Sequence, residues 1–409
     1  MPTSTPYNPD ALGPGTTLGY CTNVHPGATL EVIGQQLLKH ACGVKDRICP
    51  GLPLPIGLWL PARVAANLNR NEQPRQQLRD FLERFGLVPF TYNAFPYGDF
   101  HAGQVKHSVY RPDWSELARL DYTLGLIQLA PQLNPHAREI SISTLPICWG
   151  RPERTATDGP EDLHACARSL RSLAVEMSRM EEDHGVLIHV DLEPEPGCLL
   201  HTAADVVWFF ETHLLGRSTD AIVRRHIRIC HDVCHAAVMF KDQAEELAAY
   251  DRAGLHVGKV QVSSALDVDF EAVDEATREQ LAAKLAAFAE DRYLHQTVVD
   301  TGGGEPVFYE DLPLALQQAP LRGRWRVHFH VPVFAAECAG LGTTQGQIAP
   351  AIAAAKALHD CHHFEVETYA WDVLPPAARA ETLADGIAHE LQFIAGLLSP
   401  PANAAGGEA

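Results

Sequence analysis

Short apolar runs alternate with longer amphipathic stretches along most of the chain. The short runs predict strands over 19–24, 56–60, 88–93 and 139–144, then in the runs 186–196 and 227–235, and over 258–264. Between them, apolar residues at helical spacing predict helices over 30–40, 75–85, 115–129, 162–182, 205–215 and 243–253. Gly86 directly after Phe85 is a helix stop signal. Regular alternation of this kind predicts a parallel sheet with helices outside it. The length and the number of repeats favour a closed (β/α)8 barrel over an open doubly wound sheet. No Gly-rich phosphate fingerprint follows the first strand, which removes the main signal for a dinucleotide-binding fold.

Past Gln261 the pattern loosens. Two more strands are predicted, one through His328, Phe329 and His330 and one around Glu367, making about nine candidates for eight barrel places. The segment 267–326 reads as an insertion before the last strands. It holds a helix over 275–289, a hairpin about Thr301-Gly302-Gly303-Gly304 and a short helix near 309–318. Either Gln261 or His330 then lies on the seventh barrel strand, with the other close by and both facing the site. The expected organisation is one TIM-barrel domain over 1–398 and a small, polar, disordered tail over 399–409.

Composition narrows the function classes. The 409 residues are 46% hydrophobic and 20% charged, as in a globular protein with a sizeable core. There are 51 acidic against 32 basic residues, a net charge of -19. That balance repels phosphate backbones and argues against nucleic acid or an anionic membrane as partner. No stretch has the apolar length of a membrane span, so no membrane insertion is expected, and residues 1–10 lack the features of a signal peptide. The 10 cysteines are scattered without CxxC pairs and read as reduced core residues of a cytoplasmic protein. Cys230 and Cys234, flanking Asp232 on one strand, have a spacing that permits a thiolate site, but no second pair completes a zinc set.

Several predicted strands end in side chains able to hold a metal: Glu193 and Glu195, Asp232 and His235, His328 and His330, Glu365 and Glu367. In a parallel barrel all C-terminal strand ends meet at one face. A divalent cation is the simplest stabiliser of such a crowd of carboxylates. In Glu193-Pro194-Glu195-Pro196 one of the two carboxylates reads as merely solvated, and Glu193 is the favoured ligand. Asp232 and His235 read as ligands or as a buried hydrogen-bonded pair. His328 and His330 share one side of a strand, one as ligand and the other as support. Glu365 and Glu367 also share a face, so one ligand suffices, and His362 and His363 read as surface residues. Lys106, His101 and Arg111, after the third strand, read either as a clamp for an anionic substrate or as a polar loop. Asn93 and His25, at early strand ends, are stronger candidates for substrate contact.

The order strand-end Glu, Asp-x-x-His, polar or His strand, final Glu resembles the xylose isomerase-like TIM barrels, which include sugar epimerases, inosose dehydratases and endonuclease IV. A longer resemblance spans nearly the whole chain. Leu18-Gly19-Tyr20-Cys21-Thr22-Asn23-Val24-His25-Pro26-Gly27, Gly57-Leu58-Trp59-Leu60, Thr91-Tyr92-Asn93-Ala94-Phe95-Pro96-Tyr97-Gly98-Asp99-Phe100-His101, Val260-Gln261-Val262-Ser263-Ser264, His328-Phe329-His330-Val331-Pro332 and Glu365-Val366-Glu367-Thr368-Tyr369-Ala370-Trp371 are similar to the EboE family of metabolite traffic proteins. That resemblance implies a barrel encoded in an operon tied to export of a secondary metabolite or prenoid precursor, with other proteins of the operon as partners. It supplies no chemical step. Carried over residue by residue, the superfamily's metal ligands fall on Glu193, Asp232 and Glu367. Its substrate-side histidine falls on His235. Its remaining ligand, usually His, falls on Gln261 or His330, and a Gln would bind a hard cation through its carbonyl oxygen.

These readings lead to an isomerase or epimerase on a small metabolite. Manganese, magnesium or zinc held by Glu193, Asp232, Glu367 and either His330 or Gln261 would grip two neighbouring oxygens of a polyol or hydroxy-ketone and acidify the adjacent C–H. Glu193 or Glu367 would take the proton, with His235 also in the catalytic set. His25, Asn93, His101, Lys106, Gln261 and His328 would contact substrate. The rivals are a carrier that binds a metabolite without turnover, and a phosphodiesterase like endonuclease IV. Net charge counts against the latter, and fold alone does not choose.

Overall fold

Eight parallel strands close into a barrel in chain order: Thr17–Cys21, Leu54–Leu58, Leu87–Asn93, Glu139–Thr144, Leu187–Leu192, Ile227–Asp232, Val257–Val262 and His363–Val366. The structure, a computed structural model, describes residues 7, 12, 13, 15–150 and 161–399. The tail expected over 399–409 lies outside the described residues beyond Ser399. Every strand pair is parallel, and the eighth strand closes on the first from Thr17↔His363 to Tyr20↔Val366. The chain is thus a TIM barrel of the expected class.

The periodicity that reads as strand has a physical basis here. In Leu187–Leu192 the alternate residues Ile188, Val190 and Leu192 are apolar, while His189 and Asp191 between them are polar and fully buried. One set meets the surrounding helices and the other fills the barrel. The interior is tight enough to require small residues on the second strand. A Cβ on Gly57 would lie 1.5 Å from Glu365 Oε1. Helix Glu72–Phe85 ends where Gly86 takes a left-handed φ of 61°, which returns its N–H to the last carbonyls.

Between the seventh and eighth strands the chain builds a second, antiparallel sheet. Its order is Val307–Tyr309, Thr297–Asp300, Arg324–Val327, Leu266–Asp269, Leu341–Thr343, Glu337–Cys338. This sheet accounts for the surplus strand candidate. Gln261 lies on the seventh barrel strand, and Arg324–Val327 belongs to the second sheet. The expectation of a strand through His328 to His330 is corrected. The chain turns sharply there, with Phe329 N–H donating to the Val327 carbonyl at 2.8 Å. Cys234 likewise lies not on the Asp232 strand but in helix Val233–Val238, because Asp232 caps that helix.

Candidate metal centre

Asp232 is both the last residue of the sixth strand and the N-cap of the helix that follows. Its Oδ1 accepts from the His235 backbone N–H at 2.9 Å and from Ser263 Oγ at 2.7 Å. Its Oδ2 is buried without a hydrogen-bond partner. Glu193 stands one residue past the fifth strand, buried, with Oε2 equally unpartnered. Glu367 stands one residue past the eighth strand, and its Oε1 accepts from Asn23 Nδ2 at 2.6 Å and Asn93 Nδ2 at 3.3 Å. The three carboxylates each present an oxygen within 4.8 Å of the others.

So close a set resists full ionisation when buried. Burial, with the charges of Glu367 and Asp232, pushes the Glu193 carboxyl well above its ordinary range. Burial and the Asp232 charge push Glu367 up to about 8. Two unpartnered buried carboxylate oxygens facing one centre are what a hard divalent cation requires, so the donor set fits the expected group. Gln261 shares the register, paired with Asp232 on one side and Glu365 on the other.

Three histidines converge beside this set. His235 Nε2 lies 3.2 Å from His328 Nε2, which lies 3.1 Å from His330 Nε2. Asp232 offers an oxygen within reach of both His235 and His330. Burial drives His235 down to about 3 and His330 to about 4, so both rings are neutral at ordinary pH. Of the two histidines after strand Arg324–Val327, His330 is the one that Asp232 reaches together with His235.

Glu193, Glu195, Glu367 and the three histidines line a pocket that is open at its mouth, and Asp232 lies behind them. The pocket walls include Phe95, Phe100, Val109, Tyr293, Leu294 and Tyr369. Asn93 reaches the pocket and so does Lys106, whose ammonium is held by Asp311 at 2.6 Å. His25 and His101 do not line it. His25 is buried against Tyr20 and stacked on His40, and His101 meets the Asn23 carbonyl at 2.7 Å. Arg111 pairs with Asp113 and Glu116.

Other residues entered the site without being expected there. Glu195 is 5% exposed, not solvated: Tyr110 Oη and Gln296 Nε2 each donate to it at 2.8 Å. Burial raises it to about 7. The signal was present, since Glu195 lies two residues from Glu193 in extended chain. Gln296 and Tyr110 carried none. His363, expected at the surface, is 5% exposed and stacks on His189.

No protein-family model matches the chain, and no curated protein does either. Solved structures do. A xylose isomerase-like TIM barrel protein from Mycobacterium smegmatis, in complex with magnesium, superposes with a TM-score of 0.51 at 12% identity, over 94% of this chain and 97% of that one. The IOLI protein with a bound zinc atom gives 0.47 at 12% identity, over 93% and 98%. The probable 3-DHS dehydratase AsbF of Bacillus anthracis gives 0.45 at 12% identity, over 92% and 98%. Among the described residues no helix is long and apolar enough to cross a membrane. The M. smegmatis likeness establishes the fold: this chain is built as a xylose isomerase-like TIM barrel.

Proposed function

We propose that the chain is a divalent-metal enzyme of the isomerase or epimerase class, acting on a small metabolite with two adjacent oxygens. One observation carries this reading. Glu193, Asp232 and Glu367 bring carboxylate oxygens within 4.8 Å of one another beside the pocket, and two of them present buried oxygens that no protein group satisfies. Glu193, Asp232 and Glu367 would hold the cation, with Gln261 or His330 completing the set. When bound, the cation supplies Lewis-acid polarisation of a carbonyl and lowers the acidity barrier of the neighbouring C–H.

The chain's own groups do the rest. Ser263 and the His235 N–H fix Asp232 through Oδ1 and leave Oδ2 free. Asn23 and Asn93 orient Glu367 in the same way. The proton acceptor would be Glu193 or Glu367, through whichever carboxylate oxygen the cation leaves free. The one Lys in the pocket lining is already paired, which disfavours a phosphodiester substrate.

The export-linked role of the EboE type belongs to the same proposal. Its support is that the segments carrying that resemblance supply Asn23, Asn93, Phe95, His328, His330, Glu367 and Tyr369 to one pocket. We also propose that barrel and second sheet form one folding unit in the cytoplasm; a single urea transition supports this, and two separately folding proteolytic halves overturn it. The functional test is a deletion strain complemented with Glu367→Gln. Substrate accumulation despite a folded variant supports an enzyme. Full rescue by a folded variant that binds no metal removes the metalloenzyme reading and leaves the carrier.

A further inference from the structure

We propose that Glu390, on the last helix, is a positioning residue for the carboxylate centre: its side chain ties together the two chain segments that carry His330 and Glu367. Glu390 stands on the buried side of helix Leu383–Leu398 and is 1% exposed. Three donors converge on it. The Val333 backbone N–H donates to Oε1 at 3.2 Å, and Thr368 Oγ1 donates to the same oxygen at 2.5 Å. Trp371 Nε1 donates to Oε2 at 3.1 Å. Among the described residues no cation pairs with this carboxylate.

The places these donors come from give the group its meaning. Thr368 follows Glu367 directly, and Val333 lies three residues after His330. The two segments meet once beside the pocket, where His330 Nδ1 donates to the Glu367 carbonyl at 2.7 Å. Both lie past the end of a strand, so a sheet ladder no longer fixes them residue by residue. Glu390 joins them a second time. One attachment leaves a hinge between two segments, and two attachments fix their spacing and their rotation.

The third donor is seated for the same purpose. Gly386 lies one helical turn before Glu390, and a Cβ there would come within 2.5 Å of the Trp371 ring. The missing side chain lets the indole lie against the helix with its N–H at the carboxylate. An apolar residue would fill this position at lower cost if packing were its only task, because a buried carboxylate needs every bond it can accept. An amide does not replace it. In Glu390→Gln the oxygen can keep Val333 and Thr368, but the NH₂ group then meets the indole N–H, donor against donor. Only a carboxylate accepts from all three.

The role rests on the metal reading of Glu367, and two measurements on the full chain separate them: Mn²⁺ titration of the chelator-stripped protein, and hydrogen exchange of the same protein without metal. Glu390→Ala should weaken Mn²⁺ binding about tenfold, the lower end of what lost outer support costs a metal site. It should speed exchange at least about tenfold in peptides covering 328–335 and 367–372. Glu390→Gln should weaken Mn²⁺ binding as well, and adding Trp371→Phe, which removes the opposing donor, should restore most of the affinity. Ile394→Ala, a core change on the same helix, should lower stability but leave Mn²⁺ affinity within about twofold. The proposal is overturned if Glu390→Ala binds Mn²⁺ as tightly as wild type, or if Ile394→Ala weakens binding equally. Should Glu390→Ala not fold, the Gln pair decides, and no recovery on adding Trp371→Phe overturns the role. If wild type binds no Mn²⁺, the metal reading falls and exchange decides alone: faster exchange confined to the two segments sustains the positioning role, and unchanged exchange overturns it.

Discussion

Two layers of the barrel interior hold buried carboxylates, and the chain treats them differently. In the lower layer each has its counter-charge or donors supplied. Glu365 bonds the Lys259 ammonium and accepts from Thr91 Oγ1 at 3.0 Å, both through Oε2, so that its charge is answered although its Oε1 has no hydrogen-bond partner. Asp191 meets His189 Nδ1 at 2.6 Å and accepts from Ser141 Oγ at 2.5 Å. The half-buried Glu139, at the start of the fourth strand, pairs with Arg228 at 3.0 Å and with His189 at 3.2 Å. Two residues further along the same strands, Glu367 and Glu193 have no such cation, nor does Asp232, and oxygens on Glu193 and Asp232 stay unpartnered. A buried charge that the chain neutralises itself is architecture. A buried charge that it leaves open is a place for something else.

The largest way to break this contrast is in the lower layer. Lys259→Met leaves Glu365 charged and unpaired in a fully buried position, and should cost about 3–5 kcal/mol. Urea unfolding reads the loss. A folded variant of near wild-type stability would mean that Glu365 takes up a proton without penalty, and that the lower layer is not held by its ion pair.

Next in size is the upper layer. Asp232→Asn should weaken divalent-ion binding by at least about 100-fold, since it removes a ligand outright and not merely its support. Wild type should gain about 2.7 kcal/mol at a cation concentration 100 times its dissociation constant, and the variant should gain little. The readout is thermal unfolding with and without Mn²⁺. An equal shift in both proteins would show that the cation binds elsewhere.

How far these layers were legible follows from the same contrast. Glu193, Asp232 and Glu367 could be found because parallel strands bring their C-terminal ends together whatever the loops do. Gln261 and His330 could not be ranked, since only strand pairing shows that Arg324–Val327 joins an antiparallel sheet and leaves the barrel place to Val257–Val262. That both Glu193 and Glu195 are buried is not legible in the sequence, because the cover of Glu195, Tyr110 and Gln296, comes from segments far along the chain. The polar lower layer was hidden for a related reason. Lys259 and Arg228 sit in strands whose apolar neighbours are legible, but which charges meet across a barrel depends on register.

A smaller effect is expected from pH. The folded-state values of Glu367 and Glu195 lie near 8 and 7, above the ordinary carboxyl range. A carboxyl raised in this way binds its proton more tightly in the folded chain than in the unfolded one. Its stabilising contribution is complete below about pH 4.5 and is lost as pH rises through the folded value. The cation-free protein should therefore lose stability between about pH 5 and 8, and a bound divalent ion should flatten that slope. Denaturation midpoints across this range, with and without chelator, check the sign. Rising stability of the cation-free form would contradict the crowding of the upper carboxylates.

The smallest effect should come from the one cation that reaches the pocket from its rim. Lys106 resembles Lys259 in having its own carboxylate, Asp311, at 2.6 Å, but its side chain keeps 22% exposure. Water screens such a pair, so Lys106→Ala should cost about 1 kcal/mol or less. Because its charge is already answered by Asp311, Mn²⁺ affinity at the carboxylates should change by less than about threefold, well under the tenfold that 1.4 kcal/mol of coupling would produce. A tenfold or larger change would mean that Lys106 acts on Glu193 and Glu367 across the pocket. It would then belong with the open upper layer and not with the charges that the chain has settled internally.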